Sequence, residues 1–196
     1  MAKTARKLTT ALAVSATLLT ARAATAADGA DRATIVLHVD DFSGLPPDDL
    51  NAAEAVARRI FARAGIRTIW VYGRDQAPRA DGALHLKVLV LSKKMAKRKI
   101  ANDLVDSNVL GQAASGCGRA YIFSHRIAEL AARNERVAGD LLGRIVAHEV
   151  GHLLLPDNGH SPIGIMTSSL DLSATALVAF TPEQTAAMRV RVKSAN

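Results

Sequence analysis

The sequence contains a single cysteine, Cys117, and aromatic residues make up only 4% of its 196 residues. One cysteine cannot form an internal disulfide, which excludes a small domain held together by a disulfide framework. Few aromatic side chains are available to stack on bases, so a nucleic-acid partner is not expected. We expect Cys117 to be a small, partly buried residue, with an intermolecular disulfide as the alternative. It is a poor metal-site candidate because no second ligating residue stands beside it.

Three common catalytic signatures are also missing. The chain has no Gly-x-Ser-x-Gly elbow, no glycine-rich phosphate-binding loop and no Cys-x-x-Cys pair. These absences argue against a serine hydrolase of the elbow type, a P-loop nucleotide-binding protein and a dithiol redox enzyme.

The N-terminus has the features of an export signal. A basic start at Lys3, Arg6 and Lys7 precedes an apolar run over residues 8–19, which is too short to span a bilayer, and small residues then provide a cleavage site. We therefore predict a signal peptide over residues 1–27 and an exported protein, secreted or periplasmic, without a stable membrane anchor once the signal is removed. A retained anchor is the alternative.

The basic character of the chain comes partly from this segment. Four of the 25 Lys and Arg residues, and none of the 18 Asp and Glu residues, lie in residues 1–27, so the remainder carries a net charge of +3 instead of +7. That charge is weak evidence for a polyanionic partner. Residues 28–196 suffice for one domain with its own core and show no internal repeat or low-complexity linker, so we predict a single domain.

Apolar and β-branched runs predict five strands. They cover residues 34–40, 66–72, 84–91, 109–115 and 119–124. The third run is apolar at nearly every position, which is typical of a central strand. The fourth is short and reads as an edge strand.

Three helices are predicted around these strands. Pro47 and the two acidic residues after it suit the first turn of a helix that Gly65 ends. Apolar periodicity over residues 135–155 indicates a long helix, which Pro156 stops, and residues 181–192 begin with a Thr-Pro-Glu-Gln capping pattern. The fold class is therefore α/β (α+β), with a mixed twisted sheet of about five strands packed on two long helices plus a C-terminal helix.

Residues 92–108 are harder to assign because they carry a cluster of basic side chains. The favoured interpretation is a solvated helix face, and a binding patch is the alternative. The cluster consists of Lys93, Lys94, Lys97, Arg98 and Lys99.

A histidine-glutamate-histidine motif lies near the end of the long helix. In His148-Glu149-Val150-Gly151-His152 the two imidazoles are four residues apart and therefore share one helix face. Zinc takes nitrogen ligands at about 2.0–2.1 Å, and catalytic zinc sites combine three protein ligands with a water. Glu149 could take a proton from that water without itself being a ligand.

The third ligand should come from just beyond the helix. Asp157-Asn158-Gly159 has turn chemistry, and His160 follows it. His160 is the favoured ligand, and Asp157 is the alternative because carboxylates also bind zinc. Glu183 could serve as a distant ligand, although its place at a helix start explains it better. Met166, after a glycine-containing stretch, is expected to pack under the imidazoles.

Together these residues resemble the metzincin clan of zinc endopeptidases, which have H-E-x-x-H-x-x-G-x-x-H and a methionine-containing turn. The run from His148 to Met166 is similar to a group of small secreted bacterial metzincin-like proteins that place the third histidine later. The resemblance implies a zinc ion on His148, His152 and His160, and Glu149 as general base. It also implies a peptide or protein substrate extended along the edge strand near residues 109–115.

The sequence departs from the standard metzincin motif at three points. His160 follows His152 by eight residues instead of six, Asn158 stands where the standard third histidine would be, and Leu155 replaces the turn glycine. No tyrosine follows Met166, so metzincins that use a tyrosine there are poor matches.

The other histidines have simpler interpretations. His38 and His85 lie in predicted strands and are expected to be packed or surface residues, and His125 follows a strand with no required role at the site.

The sequence thus predicts an exported zinc-dependent endopeptidase with a glutamate general base. Two alternatives remain. One is a non-catalytic module stabilised by zinc, in which Asp157 would complete a closed set of four protein ligands. The other is a zinc hydrolase that acts on a non-peptide amide and shares the same ligands.

Overall fold

A computed structural model describes residues 33–73, 75, 80–104, 106, 108–134, 137–156, 159–169 and 178–195 of the chain. The predicted signal peptide and the alternative ligand Asp157 lie outside the described residues. Within the described part, no helix combines the length and the apolar character needed to cross a membrane.

Five strands form one mixed sheet, as predicted. In chain order they are β1 (Thr34–Asp41), β2 (Arg67–Tyr72), β3 (Leu84–Val90), β4 (Gly111–Ala114) and β5 (Arg119–Ile122). Their spatial order is β2-β1-β3-β5-β4, so the apolar third strand is central and β4 is at the edge. All neighbouring pairs are parallel except β4 and β5, which are antiparallel.

Five helices accompany the sheet. They are α1 (Pro47–Arg63), α2 (Lys93–Asp103), α3 (Ser124–Arg133), α4 (Ala138–Leu154) and α5 (Pro182–Lys193). The three predicted helices are confirmed as α1, α4 and α5, although α4 begins three residues later than predicted. Helix α3 was not predicted, and Ser124 opens it instead of ending the last strand. There the Ser124 hydroxyl donates to the Leu91 carbonyl oxygen at 2.8 Å.

Helices α1 and α4 lie against each other with very little space between their backbones. A Cβ atom at Gly143 would come within 2.5 Å of the Ala53 carbonyl oxygen, and one at Gly139 within 2.6 Å of the Asp49 carbonyl oxygen. A glycine inside a helix costs roughly 0.5–1 kcal/mol relative to alanine. The close approach explains why the cost is tolerated, and it fixes the position of α4 relative to the sheet.

The C-terminal helix starts with the predicted capping box. The Thr181 hydroxyl accepts from the Gln184 backbone N–H, and the Thr181 N–H donates to the Gln184 side chain at 3.0 Å. Two of the first backbone donors of α5 are thereby satisfied.

The expected partial burial of Cys117 is wrong. Cys117 is exposed, in a short 3₁₀ turn, Ser115–Cys117, that joins β4 to β5. All three residues of the turn are exposed, because a connection beyond the end of an edge strand has no second layer above it.

Candidate metal centre and its cleft

Three histidine side chains converge at the C-terminal half of α4. The Nε2 atoms of His148 and His152 are 3.1 Å apart. The ring of His160 lies 4.7 Å from that of His152 and 5.4 Å from that of His148, measured between centroids. One nitrogen from each residue lies within 4.8 Å of the other two. The described residues contain no other such group of three His, Cys, Asp or Glu side chains.

The tautomer of His148 is fixed by a backbone carbonyl. Its Nδ1 atom lies 2.8 Å from the Ile165 carbonyl oxygen, which can only accept, so Nδ1 donates and Nε2 keeps its lone pair. A donor contact of this kind orients a ligating imidazole and raises its basicity. Burial, more than any other factor, lowers the pKa of His148, which favours the neutral form that a metal requires.

A left-handed glycine brings His160 back to the helix. Leu155 caps the C-terminus of α4, and its N–H donates to the Gly151 carbonyl oxygen at 2.9 Å. Gly159 has a φ of +59°, and a Cβ atom there would lie 2.9 Å from the Leu155 side chain. Gly159 therefore permits the left-handed backbone that the chain adopts directly before His160.

Both sides of His160 are anchored. The Gln184 side-chain amide donates to the Gly159 carbonyl oxygen at 2.9 Å and to the Ser161 hydroxyl at 3.0 Å. The Ser161 N–H in turn donates to the Met166 carbonyl oxygen at 3.0 Å. Helix α5 and the turn at Met166 thus hold the segment that carries His160.

Met166 is fully buried against α4. A Cβ atom at Gly151 would lie 2.5 Å from its sulfur and 2.9 Å from the Phe180 ring, so this contact requires a glycine on the helix. Gly151 stands directly before His152 in the chain. Met166 thus packs against α4 at Gly151, and its expected place under the imidazoles stays a prediction. Gly164, with a φ of +86°, lies in the turn that leads to Met166.

Glu149 is buried between α4 and the edge strand. Glu149 is only 7% exposed, and a Cβ atom at Gly111 would come within 2.6 Å of the Glu149 Cγ atom. Burial raises the pKa of Glu149 to about 8, and a hydrogen bond from the Ala113 backbone N–H acts in the opposite direction. A divalent cation on the neighbouring histidines would also favour the carboxylate.

The other candidate ligands do not join this group. Glu183 is exposed at the start of α5, where hydrogen bonds from its own backbone N–H and from Thr181 hold its pKa below the ordinary value. His38 and His85 lie on β1 and β3 and contact each other. His125 lines the same cleft as the three histidines, on α3.

The histidines and Glu149 line a cleft with a volume of 1380 Å³. Strand β4 forms one wall of the cleft through Gly111, Gln112 and Ala113, and residues 167–169 form part of its rim. At its other end the cleft reaches side chains of α2 and α3. The arrangement places a potential metal site, a buried carboxylate and an edge strand in a single groove.

Sequence reasoning did not find the residues around Glu149 or the anchor of the His160 segment. Gly111 and Ala113 lie on a strand 36 or more positions from Glu149 in the chain, and Gln184 was interpreted only as a helix cap. The available signal was a glycine inside a predicted strand, which often marks close approach of another group.

No protein-family model and no curated protein matches the chain. Among solved structures, the chain is similar to a zinc-dependent peptidase from Methanocorpusculum labreanum. The two share 16% identity and a TM-score of 0.44 over 80% of this chain and 99% of the other. This similarity is too low to support an assignment of fold or activity, so both depend on the geometry described above.

Proposed function

We propose that this chain is a zinc-dependent peptidase of the metzincin type. The observation that carries the proposal is the convergence of three imidazoles beside a buried carboxylate, on the wall of a cleft bordered by an edge strand. Each part has a use in peptide hydrolysis: ligands for a metal, a proton acceptor, and a backbone that can align an extended chain.

The donor set fits zinc. Three imidazole nitrogens are a common ligand set of catalytic zinc, and structural zinc usually has four protein ligands. Among the described residues, no fourth His, Cys, Asp or Glu joins His148, His152 and His160. His160 is exposed, so the site is open to solvent on that side. This open side favours a catalytic over a closed structural site.

When bound, zinc would supply a Lewis acid that polarises the scissile carbonyl and makes a nearby water more acidic. Glu149 accepts the proton of the attacking water and returns it to the leaving amine. The Ala113 N–H orients the Glu149 carboxylate, and the Ile165 carbonyl orients His148. Gly111 leaves the room that the carboxylate needs.

A peptide substrate would bind as an added strand along β4. Among the described residues this strand pairs with β5 alone, and its residues line the cleft. Backbone pairing would hold the substrate irrespective of its side chains and bring a peptide bond to the histidines.

Glu149→Gln should retain zinc and the fold but lose peptide hydrolysis. The change keeps the shape of the side chain and removes the base, and the loss should reach or exceed the upper end of about 10²–10⁴-fold. The measurement is the cleavage rate of a mixed peptide library at matched zinc content. Glu183→Gln, which removes an exposed carboxylate away from the site, is the control and should keep the wild-type rate.

Equal rates for wild type and Glu149→Gln would contradict the proposal. No cleavage of any peptide by the zinc-loaded wild type would favour a non-peptide amide as substrate. Loss of zinc affinity in both His160→Ala and Asp157→Ala would favour the zinc-stabilised module, in which Asp157 is a fourth protein ligand.

We also propose that the protein is exported. The basic, apolar and small-residue order of residues 1–27 motivates this, and cleavage is expected near Ala26 or Ala27. Mass spectrometry of the protein recovered outside the cytoplasm should show a new N-terminus there. Recovery of a cytoplasmic protein that retains its N-terminal segment would contradict export.

A further inference from the structure

The cleft continues well beyond the histidines, to an end lined by α2 and α3. This part, which we call the basic end, is lined by Lys93 and Lys97 of α2 and by His125, Arg126, Glu129 and Arg133 of α3. The proposed hydrolysis uses none of these side chains. They lie in the same groove as the reacting groups, where a bound peptide could reach them.

Positive charge dominates the basic end. Four of its side chains are Lys or Arg, whereas the carboxylates that line the same region are Glu129 and Asp106. Lys93 pairs with Glu129 at 3.3 Å, but both side chains are more than half exposed, and such pairs contribute little. Among the described residues, neither Lys97 nor Arg133 forms an ion pair with a carboxylate.

The contacts of Arg126 hold its side chain in place but do not neutralise its charge. Its guanidinium donates to the backbone carbonyl oxygens of Val109 at 2.6 Å and Asp106 at 3.0 Å. Carbonyl oxygens satisfy hydrogen bonds but carry no net charge. Arg126 therefore fixes the segment leading into β4 and leaves a positive charge at the wall of the cleft.

The same charges act on His125. Burial is the main reason that the pKa of His125 is lowered, Glu129 opposes the shift, and Arg126, Lys93 and Lys97 add to it. Its Nδ1 atom is buried and has no hydrogen-bond partner among the described residues, so this nitrogen is not open to a ligand. The excess of cations around the ring is the feature that suits an anionic group.

Two other cations of α2 do not line the cleft. Lys94 and Arg98 are absent from its lining, whereas Lys93 and Lys97 belong to it, although all four side chains are exposed. The helix thus divides the basic cluster into a cleft side, with Lys93 and Lys97, and a solvent side, with Lys94 and Arg98.

We propose that the basic end is a subsite for a carboxylate of the peptide substrate, either an Asp or Glu side chain or the terminal carboxylate. This proposal rests on the proposed peptidase function and names the substrate class: peptides with an acidic group at a fixed distance from the cleaved bond. Lys97 and Arg133 are the specificity-determining side chains.

The test uses heptapeptides in which one position at a time is Glu or Gln, each made with a free and with an amidated C-terminus. Wild type and Lys97→Gln/Arg133→Gln are compared, with Lys94→Gln/Arg98→Gln as a control of equal charge change on the solvent side. Two readouts are taken: kcat/KM of the zinc-loaded proteins, and peptide binding by anisotropy to the zinc-loaded Glu149→Gln background.

Wild type should prefer Glu over Gln at one position, or the free over the amidated terminus, by about tenfold, the factor expected of one charge-assisted hydrogen bond. The cleft-side variant should lose this preference while its rates on neutral peptides stay unchanged, and the control should keep it. High salt should weaken the preference.

The two proposals fail in different ways. Discrimination in binding without any cleavage would contradict the peptidase function and keep the subsite. Cleavage without discrimination, or an equal loss of discrimination in the solvent-side control, would overturn the subsite and keep the peptidase.

Discussion

The molecule contains two groups of imidazoles in direct contact, and the groups differ in the number of histidines and in the residues that surround them. On α4 the Nε2 atoms of His148 and His152 are 3.1 Å apart, and on the sheet His38 Nε2 lies 2.8 Å from His85 Nδ1. By distance alone the strand pair is the closer one. Proximity of two histidines therefore does not identify a metal site.

The surroundings of the two groups decide their roles. Beside the helix pair stand a third imidazole and a buried carboxylate, and a backbone carbonyl directs the lone pair of His148 inward. The strand pair includes an exposed histidine and lies near the cation Lys87, whose charge disfavours a second cation. The helix group has the donor set that could hold a metal ion, and the strand pair does not.

Among the substitutions that test this contrast, removal of the proposed third ligand, His160, should have the largest effect. His160→Ala should weaken zinc binding by more than about 100-fold, since even partners of metal ligands are worth 10–100-fold. Zinc affinity of the purified protein, measured by competition with a chelator, tests this.

His38→Ala is the matched control, because it removes a histidine that also contacts another imidazole. It should leave zinc affinity and stoichiometry unchanged. Equal losses from both variants would show that the two groups are not distinct. Retained affinity in His160→Ala, with loss in Asp157→Ala, would show that Asp157 is the third ligand.

A smaller effect on the rate is expected when a methyl group is placed against the Glu149 side chain. Gly111→Ala would place a Cβ atom 2.6 Å from the Glu149 Cγ atom, so the carboxylate must move. A displacement of about 1 Å can cost about 100-fold in rate. We expect a loss of 10- to 100-fold in kcat/KM with zinc content unchanged, measured on any peptide that the wild type cleaves.

Gly116→Ala provides the comparison for Gly111. A Cβ atom at Gly116 meets nothing within 4 Å, so its activity and stability should match the wild type. Full activity of Gly111→Ala would mean that Glu149 can act from another position, which contradicts its proposed orientation by β4.

The smallest effect concerns the strand pair and pH. Burial, His85 and Lys87 lower the pKa of His38 below 6.5, against the effect of Asp40, so the unfolded chain binds this proton more readily. The neutral pair therefore contributes stability that is fully present above about pH 6.5 and declines as the pH falls towards the folded-state pKa.

His38→Gln should reduce this pH dependence. Between about pH 7.5 and 5 the unfolding free energy of the wild type should fall more steeply than that of the variant, and the difference should be small because His38 is partly exposed. Urea denaturation across this range measures the difference, and the contribution of His148 cancels because both proteins contain it. Parallel curves would show that His38 does not contribute to the pH dependence of stability.

Most elements of the fold could be predicted because their signals are local. The Thr181 capping box, the proline that stops the long helix and the apolar run of β3 each depend on neighbouring residues only. Helix α3 was missed although Ile127 and Ala131 repeat at a helical spacing, because the run is short and lies between two stronger signals. The burial of Cys117 was wrong because burial depends on which layer covers a turn.

The sequence alone determined the chemistry of the candidate site. Four-residue spacing on a helix places His148 and His152 on one face wherever that helix lies, and a turn followed by His160 supplies a third imidazole. What it could not determine is the environment of these groups, since side chains far apart in the chain meet only through packing.

The tertiary structure decided that environment. The α1–α4 contact and the sheet together bring Gly111 and Ala113 against Glu149, and α5 brings Gln184 to the His160 segment. The same packing makes Lys97, but not Lys94, part of the lining of the cleft. These contacts join elements that are far apart in the chain, so no local propensity predicts them. They form because packing minimises exposed apolar surface and unpaired polar groups.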